Sequence, residues 1–192
     1  MIKNIILSGV GGQGILTIAS IIDLAAMHSN LNVKQAEVHG MSQRGGDVQS
    51  NLRISDQEIY SDLIPKGEAD IVLAMEPLEA LRYVPFLKKD GIVITSSGCV
   101  KNIPNYPDEA KVIEAIKTSG FKYVIIDSDE IAKNLSERVS NVVIAGAVAP
   151  IIGIDAKVME QSVKELFASK GEEIVAMNVK AFETGLEYSK NL

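Results

Sequence analysis

Glycines spaced for close approach to an anion stand near the start of the chain. Gly9, Gly11 and Gly14 fit the pattern G-x-G-x-x-G. In such a turn the missing side chains let the backbone approach a bound group, and the first amides of a following helix favour an anion. Ile15 and Leu16 stand where a phosphate-binding P-loop has Lys and Ser or Thr. The pattern predicts an anion-binding turn without the parts for hydrolysing a nucleoside triphosphate. The alternative is a turn that only permits tight helix–sheet packing.

A second polar, glycine-rich stretch follows the predicted second strand. Residues 39–46 read His-Gly-Met-Ser-Gln-Arg-Gly-Gly, which matches neither a helix nor a strand period. On such a loop the Arg44 guanidinium could bind a carboxylate or a phosphate through two hydrogen bonds, the alternative being a solvent-exposed or interface arginine. His39 would lie at the carboxyl edge, where α/β folds bind ligands, although a lone histidine is more often a hydrogen-bonded structural residue. No second ligand stands at metal-binding spacing, so we predict no metal site.

Two acidic residues invite separate interpretations. Glu37 lies 23 residues after Gly14, near where dinucleotide enzymes place the acid that binds ribose. This spacing favours a nicotinamide enzyme, but no evident acid/base for hydride transfer follows. Glu76 comes directly after a predicted strand, and we interpret it as a charge favoured by the N-terminus of the next helix.

The elements that must position these residues follow from hydrophobic periodicity. Strands are predicted at 2–7, 33–38, 47–54, 71–75, 91–95 and 123–127, with a short return strand at 57–60. Helices are predicted at 15–27, 77–87, 108–119 and 129–138, and only helices from residue 141 onward. The sequence therefore predicts a Rossmann-like three-layer α/β/α fold with a mostly parallel, mixed sheet, an inserted hairpin and a helical C-terminal third. We expect residues 1–192 to form one domain.

Composition limits the function classes. The net charge of −6 and pI near 5.0 argue against a nucleic-acid partner. The single cysteine, Cys99, excludes an internal disulfide and a cysteine-built cluster or zinc site, and we interpret it as a small loop residue. No signal peptide and no apolar run of about 18 residues is evident, which predicts a cytoplasmic protein with no membrane partner.

Together the two motifs carry a family resemblance. Gly-Val-Gly-Gly-Gln-Gly at 9–14, followed by His-Gly-Met-Ser-Gln-Arg-Gly-Gly at 39–46, resembles the gamma-type subunit of the 2-oxoacid:ferredoxin oxidoreductases. Within that family the second motif resembles the indolepyruvate branch most. Segments at 74–77, 141–143 and 178–182 add support.

The resemblance implies a subunit that does not itself carry the redox groups. A larger partner subunit would hold thiamine diphosphate and [4Fe-4S] clusters, and the gamma-type unit would help form the site for coenzyme A or the acyl intermediate. The reaction implied is oxidative decarboxylation of an aryl 2-oxoacid to acyl-CoA, with ferredoxin as electron acceptor. No residue of this chain is predicted to be catalytic, and the isolated chain is expected to be inactive. The cofactor-binding residues carried over by motif are Gly9, Gly11, Gly12, Gln13 and Gly14. Those carried over for the substrate or partner interface are His39, Ser42, Gln43, Arg44, Gly45 and Gly46.

Two other functions stay open at this point. One is an NAD(P)-dependent Rossmann dehydrogenase, which rests on G-x-G-x-x-G and Glu37. The other is a stand-alone acyl-nucleotide-binding module. The double glycine at 11–12 and the Gln-Arg-Gly-Gly sequence favour the oxidoreductase subunit over the dehydrogenase.

Overall fold

A mixed sheet forms the centre of the molecule. The computed structural model describes residues 2–39 and 45–190. In these ranges six strands lie in the order β2-β3-β1-β4-β5-β6. They are β1 (Ile2–Val10), β2 (Asn32–His39), β3 (Asp47–Ser55), β4 (Ala69–Ala74), β5 (Leu87–Ser96) and β6 (Lys122–Ile126). The pairs β1–β4, β4–β5 and β5–β6 are parallel, whereas β3 is antiparallel to both β1 and β2. The mostly parallel sheet with an inserted hairpin is thus confirmed.

The hairpin is built differently from the prediction. The short return strand at 57–60 is wrong, because β3 already pairs with β1 on one side and with β2 on the other. No free edge of β3 remains for a further strand. The chain instead turns away after β3, and the Arg53 guanidinium donates to the carbonyls of Ser61 (2.8 Å) and Leu63 (3.4 Å). This arginine holds the loop over the end of its own strand.

Helices cover both faces of the sheet. They are α1 (Ile15–His28), α2 (Pro77–Tyr83), α3 (Glu109–Lys117), α4 (Ser128–Ala132), α5 (Ser140–Ile152), α6 (Ala156–Phe167) and α7 (Glu172–Ser189). The helix predicted at 129–138 is interrupted, since α4 is followed by a separate 3₁₀ turn, Glu137–Val139. The helix predicted at 77–87 ends earlier, because Leu87 begins β5. Among the described residues past 141, all regular structure is helical, as expected.

Alternation along the strands separates two apolar layers. Ile5 and Leu7 face one side with α1, α5, α6 and α7, whereas Ile6 faces the other side with α2 and α3. Because side chains alternate with period two, one buried strand supplies both cores. No helix in the described ranges is long and apolar enough to cross a membrane.

Within the larger layer, α5 and α7 cross at two glycines. A Cβ built on Gly146 would lie 2.0 Å from the carbonyl oxygen of Phe182, and one on Gly185 would lie 1.9 Å from that of Val143. The two helix backbones therefore touch, which only glycine at these positions allows. This crossing fixes the helical C-terminal third against the sheet.

Candidate functional site

The first motif forms the connection between β1 and α1. β1 extends to Val10, three residues past its predicted end, so the turn itself is confined to residues 11–14. The Gln13 side chain fixes this turn at two points: Oε1 accepts from the Val10 amide (2.7 Å) and Nε2 donates to the Met75 carbonyl (3.0 Å). Gln13 thus ties the end of β1 to the end of β4, in addition to any contact with a ligand.

The start of α1 is open to an acceptor from outside. Gly14 has φ +74°, and its carbonyl accepts from the Thr17 amide (3.1 Å) and from Asn141 Nδ2 (3.1 Å). No side chain caps the helix, and its first turn holds no acidic residue. The first amides of a helix lack partners within the helix, and its dipole favours a negative group there. The electrostatics of the turn fit the anion predicted from the glycine spacing.

A cavity of about 580 Å³ opens in front of this helix start. Its walls come from the turn, the ends of β4 and β5, and the segment from α4 to α5. The lining residues are Gly12, Gln13, Gly14, Thr17, Met75, Ser96, Asp129, Arg138, Ser140 and Asn141. Arg138 is exposed and makes no ion pair with a described side chain, so its guanidinium is available to a ligand.

Sequence reasoning missed most of this cavity lining, since only Gly12, Gln13 and Gly14 are predicted site residues. Arg138 and Ser140 lie more than 120 residues from the glycines and belong to no local motif. The sequence carried one signal, because Asn141 opens one of the segments that add support to the family resemblance. Its hydrogen bond to the Gly14 carbonyl places it at the turn. The packing of α5 against α1 brings these residues to the turn.

Backbone hydrogen bonds join the second motif to the first. The Gly11 amide donates to the Gly46 carbonyl (2.7 Å), and the Gly45 amide donates to the Gly11 carbonyl (3.3 Å). These bonds continue the β1–β3 ladder one step beyond the pair Val10–Asp47. The structure therefore brings together the turn glycines with Gly45 and Gly46.

Several predicted residues of the second motif cannot be placed. Ser42, Gln43 and Arg44 lie outside the described residues, within the gap at 40–44. His39 is the last residue of β2, where its backbone pairs with Val48. Its side chain also falls outside the described part of the chain. The roles assigned to these four side chains stay predictions.

Glu37 stands apart from the glycine turn. It is exposed on β2, and β3 lies between β2 and β1. Two strand spacings amount to roughly 10 Å. In the dinucleotide-binding arrangement the acidic residue ends the strand next to β1, so the inserted β3 removes the geometric basis for the nicotinamide interpretation of Glu37.

Glu76 is the N-cap of α2, as its place after β4 predicted. It is 1% exposed, and its Oε2 accepts from the Glu79 amide (2.8 Å). Its Oε1 accepts from the Tyr106 hydroxyl and from the Val100 amide (3.4 Å). Burial, together with donation to Glu76, raises the pKa of Tyr106 and keeps its hydroxyl protonated as a donor. A carboxylate with three donors is stable in this buried place.

The residues that the structure describes do not fit an iron–sulfur cluster or another metal site. Burial raises the pKa of the Cys99 thiol, which favours the protonated form over the thiolate that ligates metals. No group of three potential metal-ligating side chains occurs within the described ranges.

Comparison with known proteins decides the family. The sequence profile of the pyruvate ferredoxin/flavodoxin oxidoreductase family matches residues 4–188. The chain belongs to this family. The resemblance drawn from the two motifs is thereby confirmed.

Relatives of named function are similar over nearly their whole length. The indolepyruvate oxidoreductase subunit IorB of Thermococcus kodakarensis is 34% identical, over 98% of this chain and 96% of its own. That of Archaeoglobus fulgidus is 38% identical, over 95% and 92%. The common gamma subunit of pyruvate/ketoisovalerate oxidoreductases from Pyrococcus abyssi is 31% identical, over 91% and 92%.

Solved structures of the family share the fold. The gamma subunit of a keto/oxoacid ferredoxin oxidoreductase from Geobacter sulfurreducens superimposes with a TM-score of 0.73 at 24% identity, covering 99% of both chains. The 2-oxoglutarate:ferredoxin oxidoreductase of Magnetococcus marinus, solved with 2-oxoglutarate, coenzyme A and succinyl-CoA, gives a TM-score of 0.79 at 22% identity. There the whole of this chain matches 31% of a longer one. The α/β fold with a helical C-terminal part is thus that of the family.

Proposed function

We propose that this chain is the gamma-type subunit of an indolepyruvate:ferredoxin oxidoreductase and forms part of its coenzyme A site. The observation that carries the proposal is the direct hydrogen bonding of Gly11 to Gly45 and Gly46, which joins both family motifs into one surface beside the cavity. The named function of the archaeal relatives, matched over nearly the whole chain, supports indolepyruvate as the substrate.

Coenzyme A fits the residues of the cavity. Its phosphates are anions, and the uncapped start of α1 and the Arg138 guanidinium favour anions on the same wall. The hydroxyls of Thr17 and Ser140 add polar groups for orientation. When bound, coenzyme A supplies a thiol that accepts the acyl group. The chain's own part is to bind and orient that ligand.

Redox chemistry is assigned to a partner subunit. The single, protonated Cys99 cannot ligate a [4Fe-4S] cluster. We propose that a larger subunit holds thiamine diphosphate and the clusters and passes electrons to ferredoxin. In the longer Magnetococcus marinus chain the region that matches this fold is about a third of the length, which supports a larger partner for this chain. Ser42, Gln43 and Arg44 would face that partner or its ligand.

Reconstitution tests the proposal. The isolated chain, the partner and their mixture are assayed with indolepyruvate, coenzyme A and a viologen dye. We expect turnover only in the mixture. Arg44→Ala should lower turnover or subunit association at least tenfold without changing unfolding of the isolated chain, since a buried interface arginine typically contributes ~2–4 kcal/mol. Arg44→Lys should restore only part, because an ammonium lacks the planar two-point contact.

Two outcomes would replace the proposal. Full turnover by the isolated chain, or reduction of NAD(P) by it, would favour an independent dehydrogenase. Binding of coenzyme A without any association with the partner would favour a stand-alone acyl-nucleotide-binding module.

A further inference from the structure

The segment between β5 and α3 is held mainly by hydrogen bonds. Residues 97–107, here called the connecting segment, contain no helix or strand, and much of their surface is exposed. At one end the Ser97 amide donates to the Ile126 carbonyl (2.8 Å), which ties the segment to the end of β6. Further contacts are the Lys101–Glu109 ion pair (2.8 Å) to α3, the bond of the Gly98 amide to Ser96 Oγ (3.3 Å), and those with Glu76 and Gly45.

Glu76 holds the middle of the connecting segment. The carboxylate is 1% exposed, and two of its three donors, the Val100 amide and the Tyr106 hydroxyl, belong to the segment. A buried charge that loses a donor retains the cost of its desolvation. The segment therefore has one stable placement relative to α2, and the residues between Val100 and Tyr106 are fixed at both ends.

Between those two points Asn102 reaches the second motif. Its Nδ2 donates to the Gly45 carbonyl at 3.0 Å. The Gly45 amide in turn donates to the Gly11 carbonyl. Gly45 has φ +78°, and a Cβ built there would meet nothing within 4 Å. Among the described residues, these backbone hydrogen bonds and the Asn102 donor hold Gly45 beside the turn.

We propose that Asn102 is a positioning residue that holds Gly45, and with it Gly46, against the glycine turn, while Glu76 and Tyr106 fix the connecting segment. Asn102 does not line the cavity and acts through Gly45, which directly precedes Gly46 and follows Arg44 in sequence. The inference rests on the proposed function, because its consequence is measured as use of coenzyme A by the complex. It adds a residue from outside both motifs to the machinery of the site.

The test compares Asn102→Ala with Asn105→Ala in the reconstituted complex. Asn105 is exposed in the same segment, which makes it the matched control. We expect Asn102→Ala to raise the KM for coenzyme A about fivefold, the change that corresponds to loss of one neutral hydrogen bond. Asn105→Ala should leave the KM unchanged, and the Tm of both complexes should equal that of the wild type.

Two further variants separate positioning from stability. Asn102→Asp keeps the shape but removes the donor, so it should raise the KM as much as Asn102→Ala. Tyr106→Phe should raise it in the same direction, and the double variant Asn102→Ala/Tyr106→Phe should add little, because both act along one path. A lowered Tm with an unchanged KM would make Asn102 merely structural and overturn the inference.

Failure of the proposed function is visible separately. It would appear in the wild-type mixture as no turnover with indolepyruvate or no dependence on coenzyme A. If the wild type is active and coenzyme A-dependent but Asn102→Ala has the wild-type KM, the positioning role alone is overturned.

Discussion

The helix crossing of α5 with α7 and the carboxyl edge of the sheet both use glycine, for opposite reasons. At the crossing, Gly146 and Gly185 remove side chains so that two backbones can touch. At the edge, Gly12 and Gly45 have φ of +106° and +78° with open space around them. The first pair serves packing density, the second backbone conformation beside a cavity. The helical layer that contains α5 and α7 is closely packed, whereas the carboxyl edge of the sheet is open and polar.

Two carboxyl groups, the buried Glu76 and the half-buried Asp23, repeat the contrast. Glu76 at the edge accepts from three donors. Asp23 lies in α1 within the helical layer, and its buried Oδ1 has no hydrogen-bond partner among the described residues. Burial raises the pKa of Asp23 to about 7. At the polar edge the carboxylate has hydrogen-bond donors, whereas Asp23 Oδ1 in the helical layer has none among the described residues.

The largest expected effect is at the crossing. Gly185→Ala should lower the free energy of unfolding by about 3 kcal/mol, because the added Cβ overlaps the Val143 carbonyl and backbone must shift. Helix propensity alone predicts a gain of about 1 kcal/mol, so the sign of the change separates the two effects. Chemical denaturation of the isolated chain measures it. The exposed Glu183→Ala in the same helix is the control, and a stabilised Gly185→Ala would show that the crossing is loose.

Gly14 combines both uses of glycine. Gly14→Ala should cost about 2 kcal/mol, from its positive φ and from the approach of the new Cβ to Asn141 Nδ2, 2.3 Å away. In the double variant with Asn141→Ala, the steric part should disappear and the conformational part remain. The double-mutant cycle should therefore be non-additive. Additive costs would mean that Asn141 moves aside freely and that its bond to the Gly14 carbonyl does not matter.

The environment of Asp23 in the helical layer can be tested through the pH dependence of the free energy of unfolding. Because its folded pKa is raised above the unfolded value of 3.8, the group does not penalise folding below about pH 4 and destabilises increasingly as pH rises toward 7. Asp23→Asn should be more stable than the wild type at pH 8 by about 1–2 kcal/mol, and the gain should shrink toward zero near pH 4. Urea unfolding at both pH values measures it. Ser20→Ala on the same helix titrates nothing and should show the same difference at each pH.

The smallest expected effect is the replacement of either of two glycines that have open space around them. Gly45 and Gly67 have φ of +78° and +82°, and neither would bring a Cβ within 4 Å of another atom. Alanine at either position should cost about 1 kcal/mol for the left-handed backbone. Only Gly45→Ala should also raise the KM for coenzyme A in the complex. Equal kinetics for both variants would remove Gly45 from the site.

The sequence predicted those parts of the molecule that are local. Strand, turn and helix around residues 2–28 follow from apolar periods and glycines. The predicted return strand at 57–60 was wrong because a strand there would have to pair with β3, whose two sides are already occupied. A period-two pattern predicts that a segment is extended, but it does not show which strands pair.

The candidate site was likewise predictable where the signal is local in sequence and not where it depends on long-range contacts. Both motifs were recognisable, yet their contact through Gly11, Gly45 and Gly46 comes from pairing with β3. Arg138 and Asn102 were missed because each is an ordinary surface residue in sequence. Their relevance arises from the packing of α5 and from the hydrogen bonds of Glu76, which join residues far apart in the chain.

The pairing of the antiparallel strand β3 also determines where residues can be inserted into the chain. β3 pairs with β1 without a break from Ile2–Ser55 to Val10–Asp47, and it pairs with β2 from Asn32–Ser55 to His39–Val48. One inserted residue inside any of these strands would exchange its core-facing and solvent-facing side chains beyond that point. An insertion between His39 and Gly45 leaves every one of these pairs, and the bonds of Gly45 and Gly46 to Gly11, in register. Over evolution, this loop can therefore diversify in length and chemistry while the sheet beneath it stays the same.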